Sequence, residues 1–404
     1  QGAVLASTAY GYDESSRLSR VNSGTMAAGY LYLANSPLVD QIGFTNNGAW
    51  RMTTTKAYDD LNRLTEISSA PSGSAAVSFS YDYNLANQRV RRREGDGSYW
   101  RYEYDALGQV RSGKKYWADG TPVAGQQFEY AFDDIGNRVW TGAGGDEGGT
   151  GLRPASYSAN LVNQYTSRTV PGAVDVMGIA FATNTVMVNG QTAYRKGEYF
   201  RKEVQVANGS VPVWANITVD APGQTSVTGH EFVPQTPEQF LYDLDGNLTN
   251  DGRWSYTWDA ENRLVKMAAN TPTGPQISLA FEYDAKGRRI RKQVWSNASW
   301  SGNSTNDLRF VYDDWNLLGI LNSDFSLLTS FTWGTDLSGT MEGAGGVGGL
   351  LWMTVPSGSN AGTYFCAYDG NGNVMALVNA ADGSVAARYE YGPFGELIRA
   401  TGPM

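Results

Sequence analysis

One line of sequence returns along the whole chain: aromatic, any residue, aromatic, Asp, two variable residues, Gly or Asn, a polar residue, then an apolar strand. Its fullest copy is Phe281-Glu282-Tyr283-Asp284-Ala285-Lys286-Gly287-Arg288-Arg289-Ile290. Side chains alternate along a strand, so aromatic-x-aromatic sets two rings on one face. The Asp then leaves the strand, where its carboxylate accepts bonds from the amides of the turn. Gly or Asn supplies the positive φ of a tight hairpin, and the polar-apolar pair opens the return strand. Each copy predicts a hairpin, and hairpins in series must pair edge to edge to cover their ladders.

In the first part of the chain the copies fall at Tyr12-Asp13, at Tyr30 and Tyr32 in worn form, and at Tyr58-Asp59. Tyr83-Asn84, Tyr104-Asp105 with Gly108, and Phe132-Asp133 with Gly136 follow. Later copies are Tyr242-Asp243 with Gly246, Trp258-Asp259, Tyr283-Asp284 with Gly287, and Tyr312-Asp313. After a variant at Trp333-Gly334 come Tyr368-Asp369 with Gly372, and Tyr391 with Gly395. A period of roughly 20 to 30 residues is that of a repeat array, in which each unit buries its face on its neighbours. The 24 Tyr, 12 Trp and 48 Gly suit many short strands closed by tight turns. No helical periodicity persists, so the expectation is an all-β chain.

After Val139 the line is expected to stop. Gly142 to Gly151 reads as an exposed loop, and residues 170–233 read as short strands without the motif. The division this predicts is repeats over 1–165, an inserted immunoglobulin-like β-sandwich over 166–237, and repeats again over 238–404. Pro171-Gly172 and Pro234 to Pro237 read as its hinges.

A net charge of −9 argues against nucleic acid as a partner. The run Arg89, Arg91, Arg92, Arg93 is the counter-case, and reads as solvated charge flanking a strand. A single cysteine, Cys366, rules out an intrachain disulfide, and the single histidine, His230, has no catalytic signature around it. Asp243 to Asn247 and Asp369 to Asn373 resemble calcium loops, yet Trp254 and Ala380 occupy the twelfth position, where such a loop needs a bidentate Glu. Turn chemistry explains both, and no metal or cofactor is expected. The paired acids Asp133-Asp134 and Asp313-Asp314 admit a glycosidase by composition. Because such an Asp recurs at each turn, its role reads as architectural, and no catalytic residue is assigned. No apolar run is long enough for a membrane span. The start at Gln1 reads as a processed or excised product.

The repeated Tyr-Asp-x-x-Gly-Arg/Asn-Leu/Val line resembles the RHS/YD-repeat family. Trp333 to Gly339 with Gly345 to Leu350 resembles the stretch ahead of that family's core, and Tyr389 to Leu397 resembles its Tyr-x-Tyr-x-Pro-Phe-Gly segment. The resemblance implies a spiralling antiparallel sheet of hairpins that closes as a hollow shell around a C-terminal toxin or other effector, or that serves adhesion. The family's self-cleavage segment has no match before Met404, so its catalytic residues are not carried over and the chain is expected to form part of a shell. The expected partners are the remainder of its own polypeptide or an effector domain, and glycans or like subunits meeting exposed aromatics or open sheet edges. Trp295, Trp300, Trp315 and Trp352 are glycan-stacking candidates by residue type. The implied place is secreted or on the surface of a bacterial cell, with structural encapsulation as the first function. Adhesion through carbohydrate, or self-assembly into a fibre, are the alternatives.

Overall fold

Short aromatic strands ended by Asp-x-x-Gly turns form antiparallel hairpins here, because the turn reverses the chain within one residue of the last ring. The computed structural model describes residues 7–403; Gln1 and Met404, the two ends discussed above, lie outside them. The described residues are all-β, with no helix among them and therefore none long and apolar enough to cross a membrane. The chain divides into two compact units, Gln1–Trp100 with Leu308–Met404, and Arg101–Asp307.

In the first unit two runs of strands each lie in chain order. One runs from Ala9–Tyr12 to Arg89–Glu94, each strand antiparallel to the next. The other runs from Asn306–Asp313 to Leu397–Thr401 in the same manner. Alternation puts Val21, Phe44, Met52, Ile67 and Phe79 of the first run on one face. They share a single apolar cluster with Leu351, Trp352, Phe365, Met375 and Val378 of the second. Phe44 and Phe365 meet at 5.1 Å between ring centres, and Trp352 stands edge-on to Phe365 at 5.9 Å. Each such buried side chain contributes about 1.5–3 kcal/mol of transfer free energy. Polar bonds stitch the margins: Asn46 Nδ2 donates to the Ala380 carbonyl at 3.0 Å, and Gly370 N donates to Tyr81 Oη at 2.6 Å.

Nearly every hairpin carries the same irregularity. Glu282 pairs with Arg291 while Tyr283 pairs with Arg289, so two residues of the return strand oppose one. Equivalent shifts fall just ahead of Tyr32, Tyr58, Tyr83, Phe132, Trp258, Tyr368 and Tyr391. A bulge at a fixed place in each copy adds right-handed twist at each step of the sheet.

In the second unit strands from Val110–Tyr116 to Tyr165–Arg168 lie in chain order. Leu241–Tyr242 to Arg289–Trp295 do likewise. Between them Ala173–Ile179, Tyr199–Gln205 and Tyr194–Lys196 form a three-stranded sheet. Gln191–Thr192, Met187–Val188, Val213–Asp220 and Val227–Val233 form a four-stranded one. The two sheets enclose Val186, Val188 and Phe200, with Val176, Val204, Ile217 and Val219 against them.

Three sequence readings are corrected. The line does not stop after Val139: Asn160 repeats the turn, its Oδ1 accepting from Val162 N and Gln164 N at 3.0 Å each. Gly142 and Gly144 lie buried in a strand and Gly145 is buried just after it, while Glu147, Gly148, Thr150 and Gly151 keep the exposed turn. The arginines do not flank a strand but form one, Arg89–Glu94, in which Arg92 is buried. At the crossings of Pro171 and Pro234, buried Asn208 donates to the carbonyls of Val170 and Pro234 at 3.2 and 2.8 Å.

Candidate functional site: a row of interlocked turns

Most repeat turns are built around one carboxylate, and Asn84 and Asn160 set an amide oxygen in the same place. At Asp284, Oδ1 accepts from Lys286 N and Arg288 N at 2.9 and 3.0 Å, and Oδ2 accepts from Arg288 Nε at 2.7 Å. The backbone closes with Asp284 N to Arg288 O and Gly287 N to Asp284 O, both at 3.0 Å. Gly287 has φ 79°, and the same position in other copies is Gly108, Gly136, Gly246, Gly372 or Gly395, or Asn62, Asn87, Asn163 or Asn262, all with positive φ. Asp13, Asp59 and Asp259 repeat the arrangement with Arg17, Arg63 and Arg263. Asp133, Asp243 and Asp369 use Asn137, Asn247 and Asn373 in place of the arginine. Asp105 accepts from Leu107 N and Gln109 N at 2.9 and 2.8 Å.

These bonds favour the charged carboxylate. The Arg17, Arg63 and Arg263 amides hold Asp13, Asp59 and Asp259 below the ordinary carboxylate value, and the Asn247 amide does the same for Asp243. The recurring acids are therefore occupied by their own turns.

Two further copies depart from the pattern. Asp313 stays in its strand, paired with Asn316, and the reversal is made by Asp314 at φ 43° and exposed Trp315. The copy at Tyr391 has Gly392 where an Asp stands elsewhere; Glu396 supplies the carboxylate, its Oε2 accepting from Phe394 N at 3.0 Å.

A second relation links one copy to the next, and the sequence reading missed it. Tyr283 Oη donates to the Leu264 carbonyl at 2.7 Å, and the Arg263 guanidinium lies over the Tyr283 ring at 5.5 Å. Tyr83 does the same with Leu64 and Arg63, at 2.8 and 4.8 Å, and Tyr32 with Leu18 and Arg17, at 2.7 and 4.4 Å. Tyr58, Tyr242, Tyr368 and Tyr391 donate to earlier carbonyls, as do the indoles of Trp258 and Trp333. The turns themselves touch: Arg63 Nη1 donates to Asn87 Oδ1 at 2.8 Å, and Asn247 Nδ2 to Asn262 Oδ1 at 2.9 Å. The only sequence signal was the regular offset of Arg or Asn, Leu, and the next aromatic.

The other candidates separate. Trp352 is buried in the core of the first unit and has no face for a sugar; Trp315 is exposed. Trp295 and Trp300 spend their indole N–H groups on the carbonyls of Gly302 and Leu279. His230 is exposed and stacked on Trp214, 5.2 Å between rings. Among the described residues no three His, Cys, Asp or Glu side chains converge as a metal site requires.

The geometry defines a tandem-hairpin repeat protein whose hairpins lock turn to turn. Over 160 residues, 39% of the chain, it is 32% identical to the tRNA3(Ser)-specific nuclease WapA of Bacillus spizizenii, and 29% identical to the tRNA(Glu)-specific nuclease WapA of Bacillus subtilis subsp. natto. The repeat line is similar to that of RHS/YD-repeat proteins. The chain spans about 6% of the length of those relatives. No protein-family model matches it. Among solved structures, the crystal structure of TcdB2-TccC3-Cdc42 aligns over 97% of this chain and 20% of that chain at 13% identity, with a TM-score of 0.37.

Proposed function

We propose that this chain is a non-enzymatic wall segment of a secreted bacterial RHS-repeat shell that encloses or displays an effector. The observation that carries the reading is the turn-to-turn lock, in which Tyr283 bonds to Leu264 under the Arg263 guanidinium and its counterparts do the same in other copies. Such a lock propagates one wall geometry from hairpin to hairpin, while the bonds within each turn occupy the acids that catalysis would need. The relatives' names are those of nucleases, which fits a wall carried in the same polypeptide as an activity seated elsewhere. The division into repeats over 1–165, a module over 166–237 and repeats over 238–404 belongs to this proposal, the module being a decoration of the wall.

Partners on this reading are the rest of the polypeptide and its effector. The turns hold Leu61 and Leu85 of the first unit, and Leu107, Ile135, Leu161 and Leu244 of the second, out to solvent, apolar tips suited to such contact. The natural gene product that carries this chain should be digested with protease before and after partial denaturation. A segment that resists cleavage only while the repeats are folded supports enclosure. A segment cleaved at equal rates in both conditions contradicts it.

A further inference from the structure

The first unit contains a cavity of about 350 Å³ that the wall reading does not use. Thr54, Lys56 and Tyr58 alternate along one strand and line one side of it. Ile42, Leu64 and Ile67 come from the strands beside it, and Leu351, Cys366 and Tyr368 from the second run. Its size lies within the ~300–1,000 Å³ range of small-molecule pockets, and its walls are largely apolar, as such pockets are.

Its polar groups are committed, with one exception. Asp336 accepts from Ser338 N and from the amides of Ala344 and Gly346 at 2.8, 2.6 and 3.1 Å. Asp369 accepts from the amides of Asn371 and Asn373 and from Arg92. Tyr58 and Tyr368 donate to the carbonyls of Val39 and Leu350, and Thr54 is paired with Ser69. Cys366 is buried and its thiol is pushed up to about 12, so it is a neutral wall. Lys56 has no hydrogen-bond or ion-pair partner among the described residues. Desolvation lowers its pKa, the sign expected of an ammonium taken from water without a counter-ion.

Lys56 is only partly buried, and an anion entering the cavity would replace the water that its ammonium keeps. One positive charge beside two carboxylates already held by amides suits a single negative charge rather than a phosphate. The apolar walls call for an apolar body behind that charge. We propose that the cavity binds a small amphipathic carboxylate, its acid group on the Lys56 ammonium and its chain among Ile42, Leu64, Ile67 and Leu351.

The test is isothermal titration of the full chain with octanoate, 1-octanol and octylamine. The proposal expects saturable one-to-one binding of octanoate, with 1-octanol weaker by at least about tenfold and octylamine weaker still, since losing one partner of a desolvated charge pair has at least that effect. Lys56→Met should weaken octanoate by about tenfold or more and leave 1-octanol unchanged, while Lys56→Arg keeps octanoate within a few-fold. Without ligand, Lys56→Met should melt no lower than the native chain, which separates lost binding from lost fold. No octanoate binding at millimolar concentration, equal binding of octanoate and 1-octanol, or octanoate binding untouched in Lys56→Met would each overturn the proposal. The head-group comparison needs only the native chain, so it decides the matter even where a variant misfolds.

Discussion

Arg92 and Asp369 stand 277 residues apart in sequence and meet inside the first unit, Nη1 to Oδ2 at 3.0 Å, their side chains 4% and 0% exposed. Asp369 is a repeat-turn acid whose Oδ1 already holds the amides of Asn371 and Asn373. One carboxylate thus closes a turn and neutralises a buried guanidinium from a distant strand. Removing one partner of a buried pair leaves an uncompensated charge, so Arg92→Ala should cost about 3–5 kcal/mol. Arg93→Ala should cost less than ~1 kcal/mol, because its partner Asp82 is 41% exposed. Urea unfolding midpoints of the two variants check the ordering.

Acid sensitivity follows from the turns. The folded-state pKa values of Asp13, Asp59, Asp243 and Asp259 lie below that of a free carboxylate, about 3.9. Their contribution is complete above that value and is lost as pH falls through the lower, folded one. The melting temperature should hold between neutrality and about pH 5, then drop steeply below about pH 4. Asp59→Asn should shrink that drop, since Asn84 and Asn160 close sibling turns with an uncharged amide. Melting curves from pH 2 to 7 make the comparison.

Gly287 has φ 79° and open space where a Cβ would stand, so only backbone strain opposes a side chain there. Gly287→Ala should cost about 1 kcal/mol, while Gly287→Asn should be nearly neutral, because Asn tolerates the left-handed region. Asn62 and Asn262 already hold that position in their own turns, at φ 59° and 57°. Thermal unfolding of both variants is the check.

The lock between copies is measured by Tyr283→Phe, which keeps the ring under Arg263 and deletes the hydroxyl bonded to Leu264. The expected loss is about 1 kcal/mol, the usual net value of one such bond. Faster amide exchange at the Asp259 and Asp284 turns, with the second unit's core unaffected, would place the loss at the join.

The hairpin itself was legible because its parts are local. Tyr283, Asp284 and Gly287 each announce alternation, capping or positive φ within a few residues. What escaped depends on register between hairpins. Tyr283 reaches Leu264 only because a bulge and the turn length bring the return strand of one copy under the ring of the next. Asn160 hid a copy by replacing the charged residue of the line with its amide. Arg92 looked like one of four solvated arginines, since alternation alone cannot say which face of the strand meets Asp369. Asp313 failed for the opposite reason, having the right letters with a two-residue turn behind them.

Electron microscopy of the intact gene product that carries this chain tests the wall proposal most directly. A wall segment predicts a hollow particle in which residues 7–403 form a stretch of the enclosing sheet, with successive turns in one continuous row. A solid particle with no enclosed space, or these residues packed apart from any enclosing wall, would contradict it.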